Sequence, residues 1–281
     1  MFGRQTSGSV VCPACGKLVG VSDAACWNCG RRNPGMWGYA KLLRKLGADL
    51  GVTQVVIWSC GALYVASLLV DPSSVNMRGT FGFLSPGNGA LHLLGASGAI
   101  PVVVERHWWT PLSAGWLHGG LLHIVFNMLW VRQLAPVTAA IYGPARAMLI
   151  YIGASVVGFT MSSFGLFIPV LSSLLGRSLF TVGASAAIFG LLGALVYAGR
   201  RGIAMHVGRQ AWMYALILFV FGVIMPQVDN WAHLGGFLGG FGLAHWMNPL
   251  TPERADHLFA AFGALLLSLL AVFASVLSGL R

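Results

Sequence analysis

A serine, two histidines and an asparagine, far apart in the chain, could together cut a peptide bond. Ser185 opens an apolar run in Gly183-Ala184-Ser185-Ala186-Ala187-Ile188-Phe189-Gly190. His233 stands at the head of another, Trp231-Ala232-His233-Leu234-Gly235-Gly236. His123 and Asn127 share a third, His118-Gly119-Gly120-Leu121-Leu122-His123-Ile124-Val125-Phe126-Asn127. A serine hydroxyl is a poor nucleophile until a base takes its proton. Imidazole, largely neutral at pH 7, is the natural base. His123 and Asn127 are four residues apart on a helix, so both point the same way. Each can donate a side-chain hydrogen bond, and with the Ser185 backbone N–H they would line an oxyanion hole. His118 lies five residues before His123, about 140° round a helix, which does not suit a shared metal; it is expected to hydrogen-bond a loop. The bland alternative is small-residue helix packing without chemistry. Ionisable residues inside apolar spans favour the functional reading.

A second constellation lies near the N-terminus. Cys12-Pro13-Ala14-Cys15-Gly16 and Cys26-Trp27-Asn28-Cys29-Gly30 are two C-x-x-C knuckles. Each presents two thiolates from one turn, and two such turns complete a tetrahedron for zinc. The glycines admit the tight turn. A disulfide pair or a redox dithiol competes, but a redox motif needs a βαβ context that is absent here. Structural Zn2+ held by Cys12, Cys15, Cys26 and Cys29 is the expectation, with no cofactor needed for catalysis. Cys60, inside an apolar run, reads as a small buried hydrophobe.

The elements that must position these residues are membrane helices. Only 9% of the 281 residues are charged while 57% are hydrophobic, against about 25% charged in an average soluble domain, so a bilayer is the expected solvent. Seven apolar runs approach the roughly 20 residues needed to span one: 51–70, 119–140, 145–164, 183–198, 210–225, 231–247 and 258–280. No acidic residue lies in the middle of a run, which disfavours ion-coupled transport. The net charge of +10 forms no basic stripe with interleaved aromatics, so no nucleic-acid partner is expected. With the N-terminus in the cytoplasm, 13 Lys and Arg fall inside (Arg4, Lys17, Arg31, Arg32, Lys41, Arg44, Lys45, Arg132, Arg146, Arg200, Arg201, Arg209 and Arg254) and 4 outside (Arg78, Arg106, Arg177 and Arg281). That bias sets the orientation. The first fifty residues lack the apolar run of a secretory signal, and the pattern around Lys41, Arg44 and Lys45 suggests a basic interfacial helix. The 71–117 loop, with Trp108 and Trp109, should lie folded in the outer interface. Residues 165–178, which include Pro169, read as loop or helix extension.

In order and spacing, the three apolar segments resemble the rhomboid intramembrane proteases. Their marks are H-x-x-x-x-H-x-x-x-N on the second core helix, G-x-S-G at the head of the fourth and A-H-x-G-G on the sixth. The resemblance implies an all-α polytopic membrane protein. Residues 51–248 would form a six-helix rhomboid core, followed by a seventh transmembrane helix in 249–281. An N-terminal zinc ribbon (1–35) and a basic amphipathic linker (36–50) precede the core. It also implies that Ser185 is the nucleophile, His233 its base, and His123 and Asn127 oxyanion donors, with Phe189 packing the His233 ring. The expected activity is an intramembrane serine endopeptidase in the cell (inner) membrane, N-terminus cytoplasmic and C-terminus outside, acting on transmembrane proteins. One position departs: Ala186 stands where the family has glycine. A full Gly-Ala-Ser-Gly occurs instead at Gly95–Gly98, but Pro101 follows closely and no helix would begin there cleanly. Asp229, one turn before His233, is expected to cap a helix rather than complete a triad. The alternatives are a catalytically silent rhomboid-like protein that binds client helices, a small-solute transporter, and a tethered zinc protein linked to nucleic acid.

Overall fold

A computed structural model describes residues 4–13, 15–40, 49–79, 82–165, 167–168, 175–176, 178–225 and 227–280. Among the described residues, seven long helices make up the body: α1 Val52–Val70, α2 Leu121–Tyr142, α3 Pro144–Gly165, α4 Ser185–Arg200, α5 Met205–Ile224, α6 Asn230–Trp246 and α7 Ala255–Gly279. Among the described residues, α1, α2, α3, α5 and α7 are long and apolar enough to cross a membrane, and α4 is a shorter apolar helix. Successive helices reverse direction. The α1–α2, α3–α4 and α5–α6 connections therefore share one face with the end of α7, and this face carries Ser185 and His233.

These helices match the apolar runs read from the sequence, with two adjustments. Helix α5 begins at Met205 rather than near Gln210, because Gly199 and Gly208 let the end of α4 and the start of α5 touch backbone to backbone. Arg132 falls inside α2 and on its exposed side, so it drops out of the charge count; the inner bias does not need it. The expected basic helix around Lys41, Arg44 and Lys45 lies outside the described residues, as do Pro169, Arg177 and Arg281. Cys60 is fully buried on α1, as expected of a small hydrophobe.

The connection 71–120 is folded rather than loose. It contains short helices at Asn88–Leu93 and Thr110–Ser113 and a π turn at Ile100–Val104. Leu91, Leu94, Ala96 and Leu117 form a small core with Val272 of α7. The Trp109 indole N–H donates to Ser275 of α7 at 2.9 Å. Helix α7 therefore clasps this loop as well as packing on α3.

At the opposite face sits the N-terminal ribbon. Strands β1 Ser9–Val11 and β2 Leu18–Gly20 pair antiparallel, with Val10 opposite Val19. The ribbon is pinned to the helical body by Arg31, whose guanidinium lies 3.2 Å from Glu253. Glu253 is itself buried, and its other oxygen accepts from the Arg146 backbone N–H at the start of α3 (3.0 Å). The Arg146 guanidinium donates to the carbonyls of Met247, Asn248 and Thr251. One carboxylate thus ties together the ribbon, α3 and the α6–α7 connection.

The innermost contact is between α4 and α6. Small residues let the two backbones meet: a Cβ on Gly236 would strike the Ala186 carbonyl, and one on Gly240 would strike that of Gly190. Close approach of this kind is what small residues provide between helices in lipid, where no hydrophobic force draws helices together. Helix α3 closes the third side. A Cβ on Gly158 would lie 2.9 Å from that of Ala186 and 2.6 Å from the Ala232 carbonyl. The methyl group that Ala186 adds is fully buried and is housed in the space left by Gly158.

Two predictions follow from this packing. Gly236→Ala should destabilise the full chain by about 1–3 kcal/mol or more, as overpacking does, whereas Gly242→Ala, whose Cβ would meet nothing, should be near neutral; thermal unfolding in detergent measures both. Gly158→Ala should cost less in an Ala186→Gly background than alone, with a coupling of at least about 0.5 kcal/mol. Additive effects would refute the complementarity.

Candidate active site and cysteine cluster

Ser185 is the first residue of α4 and is half-buried. Its approach is set by the preceding loop. Thr181 and Ser97 exchange backbone hydrogen bonds (Thr181 N–H to Ser97 O at 2.8 Å, Ser97 N–H to Thr181 O at 3.0 Å), and the Gly183 N–H donates to Ala114 O at 3.0 Å. Gly183 then turns with φ +133°, a conformation open to glycine and costly for other residues. The first intrahelical bond runs from Ile188 N–H to Ala184 O. The Ser185 N–H therefore lies among the unpaired donors of a helix start, where developing negative charge is favoured.

His233 is buried in the first turn of α6. Its ring stacks on Phe189 at a centroid separation of 4.2 Å and an interplanar angle of 16°. Phe189 is one turn after Ser185 on the same face of α4, so the imidazole lies over the face that carries the serine. The Ala186–Gly236 contact fixes the register. Ser185 is one residue, and His233 one turn, outward from that contact. No hydrogen bond joins Ser185 and His233 among the described residues; such bonds are often long without substrate and tighten on binding.

His123, half-buried on α2, enters from the other side of Gly183. A methyl on Gly183 would stand 2.7 Å from His123 Nε2 and 3.8 Å from Ser185 Oγ, so both groups border the same small space. The Gly119 N–H donates to His123 Nδ1 at 3.3 Å. That assigns the ring proton to Nε2, which makes Nε2 a donor facing the serine. Asn127 is buried one turn deeper, and its side-chain amide donates to the His123 carbonyl at 2.8 Å. One of its two N–H groups is thus turned back on its own helix.

Other expectations resolve as follows. Asp229 caps α6: one carboxylate oxygen accepts from Ala232 N–H at 3.0 Å and the other from Ser162 Oγ at 2.5 Å. His233 Nδ1 has no hydrogen-bond partner among the described residues, and the Asp229 carboxylate is not bonded to it. His118 is fully buried, and the Trp116 backbone of the folded loop is the polar group that its ring meets. It also packs edge-on against His123, at 5.2 Å. Ser97, the serine of the Gly95–Gly98 motif, is wholly inaccessible, and its hydroxyl accepts from Thr110 at 3.3 Å. Its role is to pair the loop with Thr181. The Ser97–Thr181 bridge and the Ser162–Asp229 bond are contacts that sequence reasoning missed; no local pattern marks a pairing between segments so distant in the chain.

In the ribbon the four cysteines converge. Cys12 and Cys29 sulfurs are 3.7 Å apart, Cys15 and Cys26 sulfurs 3.6 Å, and all four lie within 4.8 Å of one another. The two knuckles repeat one turn: Gly16 N–H to Cys12 O and Gly30 N–H to Cys26 O, both 2.9 Å, with φ +72° and +71°. The separations are too long for a disulfide. They match the edge of a tetrahedron with metal–sulfur bonds of about 2.3 Å, roughly 3.8 Å. Burial, reinforced by the neighbouring thiols, pushes the Cys29 thiol up to about 12, since four thiolates cannot share this space without a cation. The cluster could hold a metal ion.

Several known proteins are similar to this chain. RHOMBOID-like protein 4 of Arabidopsis thaliana is 32% identical over 213 residues, 70% of this chain and 52% of that protein. Rhomboid protease GluP of Bacillus subtilis is 34% identical over 143 residues, 50% of this chain and 26% of its own length. RHOMBOID-like protein 1 of Arabidopsis thaliana is 34% identical over 187 residues, 65% of this chain and 44% of that protein. The chain thus spans about half or less of the length of these relatives. The family model for the Rhomboid domain matches residues 105–249, from the end of the folded loop to the end of α6. With α4 and α6 packed through glycine and the matched span covering half the sequence, the chain belongs to the rhomboid family of multi-pass membrane proteins.

Proposed function

We propose that this protein is an intramembrane serine endopeptidase that cleaves transmembrane segments of other membrane proteins with Ser185 and His233. The observation that carries the reading is the stacking of His233 on Phe189, one turn from Ser185, with the two helices locked through Ala186 and Gly236. In this mechanism Ser185 Oγ attacks the scissile carbonyl carbon and its proton passes to His233 Nε2. The oxyanion is met by the Ser185 N–H and the His123 Nε2–H, with the remaining Asn127 N–H available on a small side-chain rotation. His233 then protonates the leaving amine as the C–N bond breaks, leaving an ester on Ser185. Water, deprotonated by His233, attacks that ester, and the proton returns to the serine. Without a carboxylate partner, the His233 Nδ1–H is oriented by ring packing alone.

A peptide bond within a membrane helix has its backbone groups already paired. Cleavage therefore requires local unwinding, and substrates should carry Gly, Pro or small polar residues near the outer end of their helix. The charge bias supports a cell (inner) membrane location with the N-terminus cytoplasmic, the C-terminus outside and the site open to the outer side.

A silent rhomboid-like protein that binds client helices is the rival that Ala186 suggested. The room made by Gly158 removes the steric reason for it. Labelling with a serine-directed phosphonate decides between them. Wild type and Ser97→Ala should label, and Ser185→Ala should not. Labelling that survives Ser185→Ala would remove the nucleophile assignment; a wild type that never labels would favour the silent reading.

The ribbon is proposed to hold one structural Zn2+ through Cys12, Cys15, Cys26 and Cys29. Replacing Cys12 and Cys26 by serine should lower bound zinc by one equivalent per chain, measured by elemental analysis. Lowering the pH should release the same equivalent as the thiolates take up protons. Unchanged zinc in the double variant would contradict the site.

A further inference from the structure

We infer that His92, Glu105 and His107, in the folded α1–α2 loop on the same face as Ser185, form a second metal site, for a divalent transition cation. These ligand atoms lie within 4.8 Å of one another. His92 Nε2 is 2.6 Å and His107 Nδ1 3.4 Å from the same Glu105 oxygen, Oε2. Three donors around one ion at roughly 2.0–2.2 Å stand about 3.0–3.6 Å apart, and the separations from Glu105 Oε2 of 2.6 and 3.4 Å bracket that range. Two imidazoles and one carboxylate select Zn2+ or a neighbouring first-row ion over Ca2+ or Mg2+, which take oxygen ligands. The three side chains are 20–31% exposed, which leaves water room to complete the coordination.

What separates this cluster from a surface ion pair is its support. The second nitrogen of His107, Nε2, is 3.0 Å from Ser278 Oγ of α7; donating there, it leaves the Nδ1 lone pair aimed at the site. A bond at the non-ligating nitrogen is the usual way a metal-binding histidine is oriented. The His107 ring also stacks on Trp109 at 4.8 Å, and Trp109 is anchored to Ser275. The His92 ring meets the edge of Phe180 at 5.5 Å. Arg106, between the two ligands, takes φ +62°, rare for such a residue, and its side chain is exposed. The bound ion would fasten both ends of the 92–107 segment to each other and to α7. Within that segment Ser97 pairs with Thr181, four residues before Ser185. The site thus tightens the loop that sets the approach to the candidate nucleophile, and its existence does not depend on catalysis.

The test counts zinc on the full chain, purified in detergent without a polyhistidine tag and equilibrated with low micromolar Zn2+. Wild type should retain one equivalent more than His92→Gln, and the same equivalent should be missing from His107→Gln and Glu105→Gln. The Cys12→Ser, Cys26→Ser double variant should keep it, which separates this site from the ribbon. In that double variant Zn2+ should raise the thermal midpoint by on the order of 5 °C, and the rise should vanish when His107→Gln is added. Equal zinc in wild type and in folded His92→Gln, His107→Gln and Glu105→Gln chains, or no midpoint shift in the ribbon-deficient protein, would overturn the proposal and leave a carboxylate–histidine ion pair.

Discussion

Everything at the candidate active site depends on two polypeptide backbones being allowed to touch. Helices in lipid gain nothing from hydrophobic exclusion, so close approach must come from packing and from small residues. Gly236 and Gly240 on α6 press against the carbonyls of Ala186 and Gly190 on α4, and Gly158 on α3 fills the remaining side. That contact decides where the two functional side chains stand. It puts the first residue of α4 and the first turn of α6 at one depth, and it lets the His233 ring lie flat on Phe189. A larger residue at any of these positions would part the helices, and the imidazole would lose the ring that orients it. His233 Nδ1 lacks a hydrogen-bond partner among the described residues, so the stack on Phe189 is what holds its ring.

The two ends of the molecule are fastened by different chemistry. At the ribbon end, the buried Glu253 joins Arg31 of the ribbon to the start of α3. Removing one partner of a buried pair leaves an uncompensated charge, so this junction holds the ribbon firmly to the body. At the Ser185 end, the loop is held to α7 through Trp109, His107 and two serines. Helix α7 is therefore more than an appended helix; it supports the loop whose Ser97 pairs with Thr181 in the segment leading to Ser185.

Much of this was legible in the sequence. The seven apolar runs gave the helices to within a few residues, since span length is fixed by bilayer thickness. Asp229 before an apolar run signalled a cap, which follows from helical geometry, and the ring contact of Phe189 with His233 was what the rhomboid resemblance implied. The choice of Ser185 over Ser97 also came from context, and Ser97 is fully buried. What stayed hidden was long-range. The Glu253 junction and the convergence of His92, Glu105 and His107 are set by how an irregular loop and distant helices fold against one another, and no period of 3.6 residues encodes them. The accommodation of Ala186 was hidden for the same reason, because its partner Gly158 is on another helix.

The central claim, that a packed imidazole activates Ser185, is tested most directly by the rate at which the full chain in vesicles cuts a single-span substrate with Gly and small polar residues near its outer end. Replacing His233 by alanine should slow that cut by about 10²–10⁴-fold, the usual worth of a positioned general base. Cleavage at an undiminished rate without the imidazole would contradict the account.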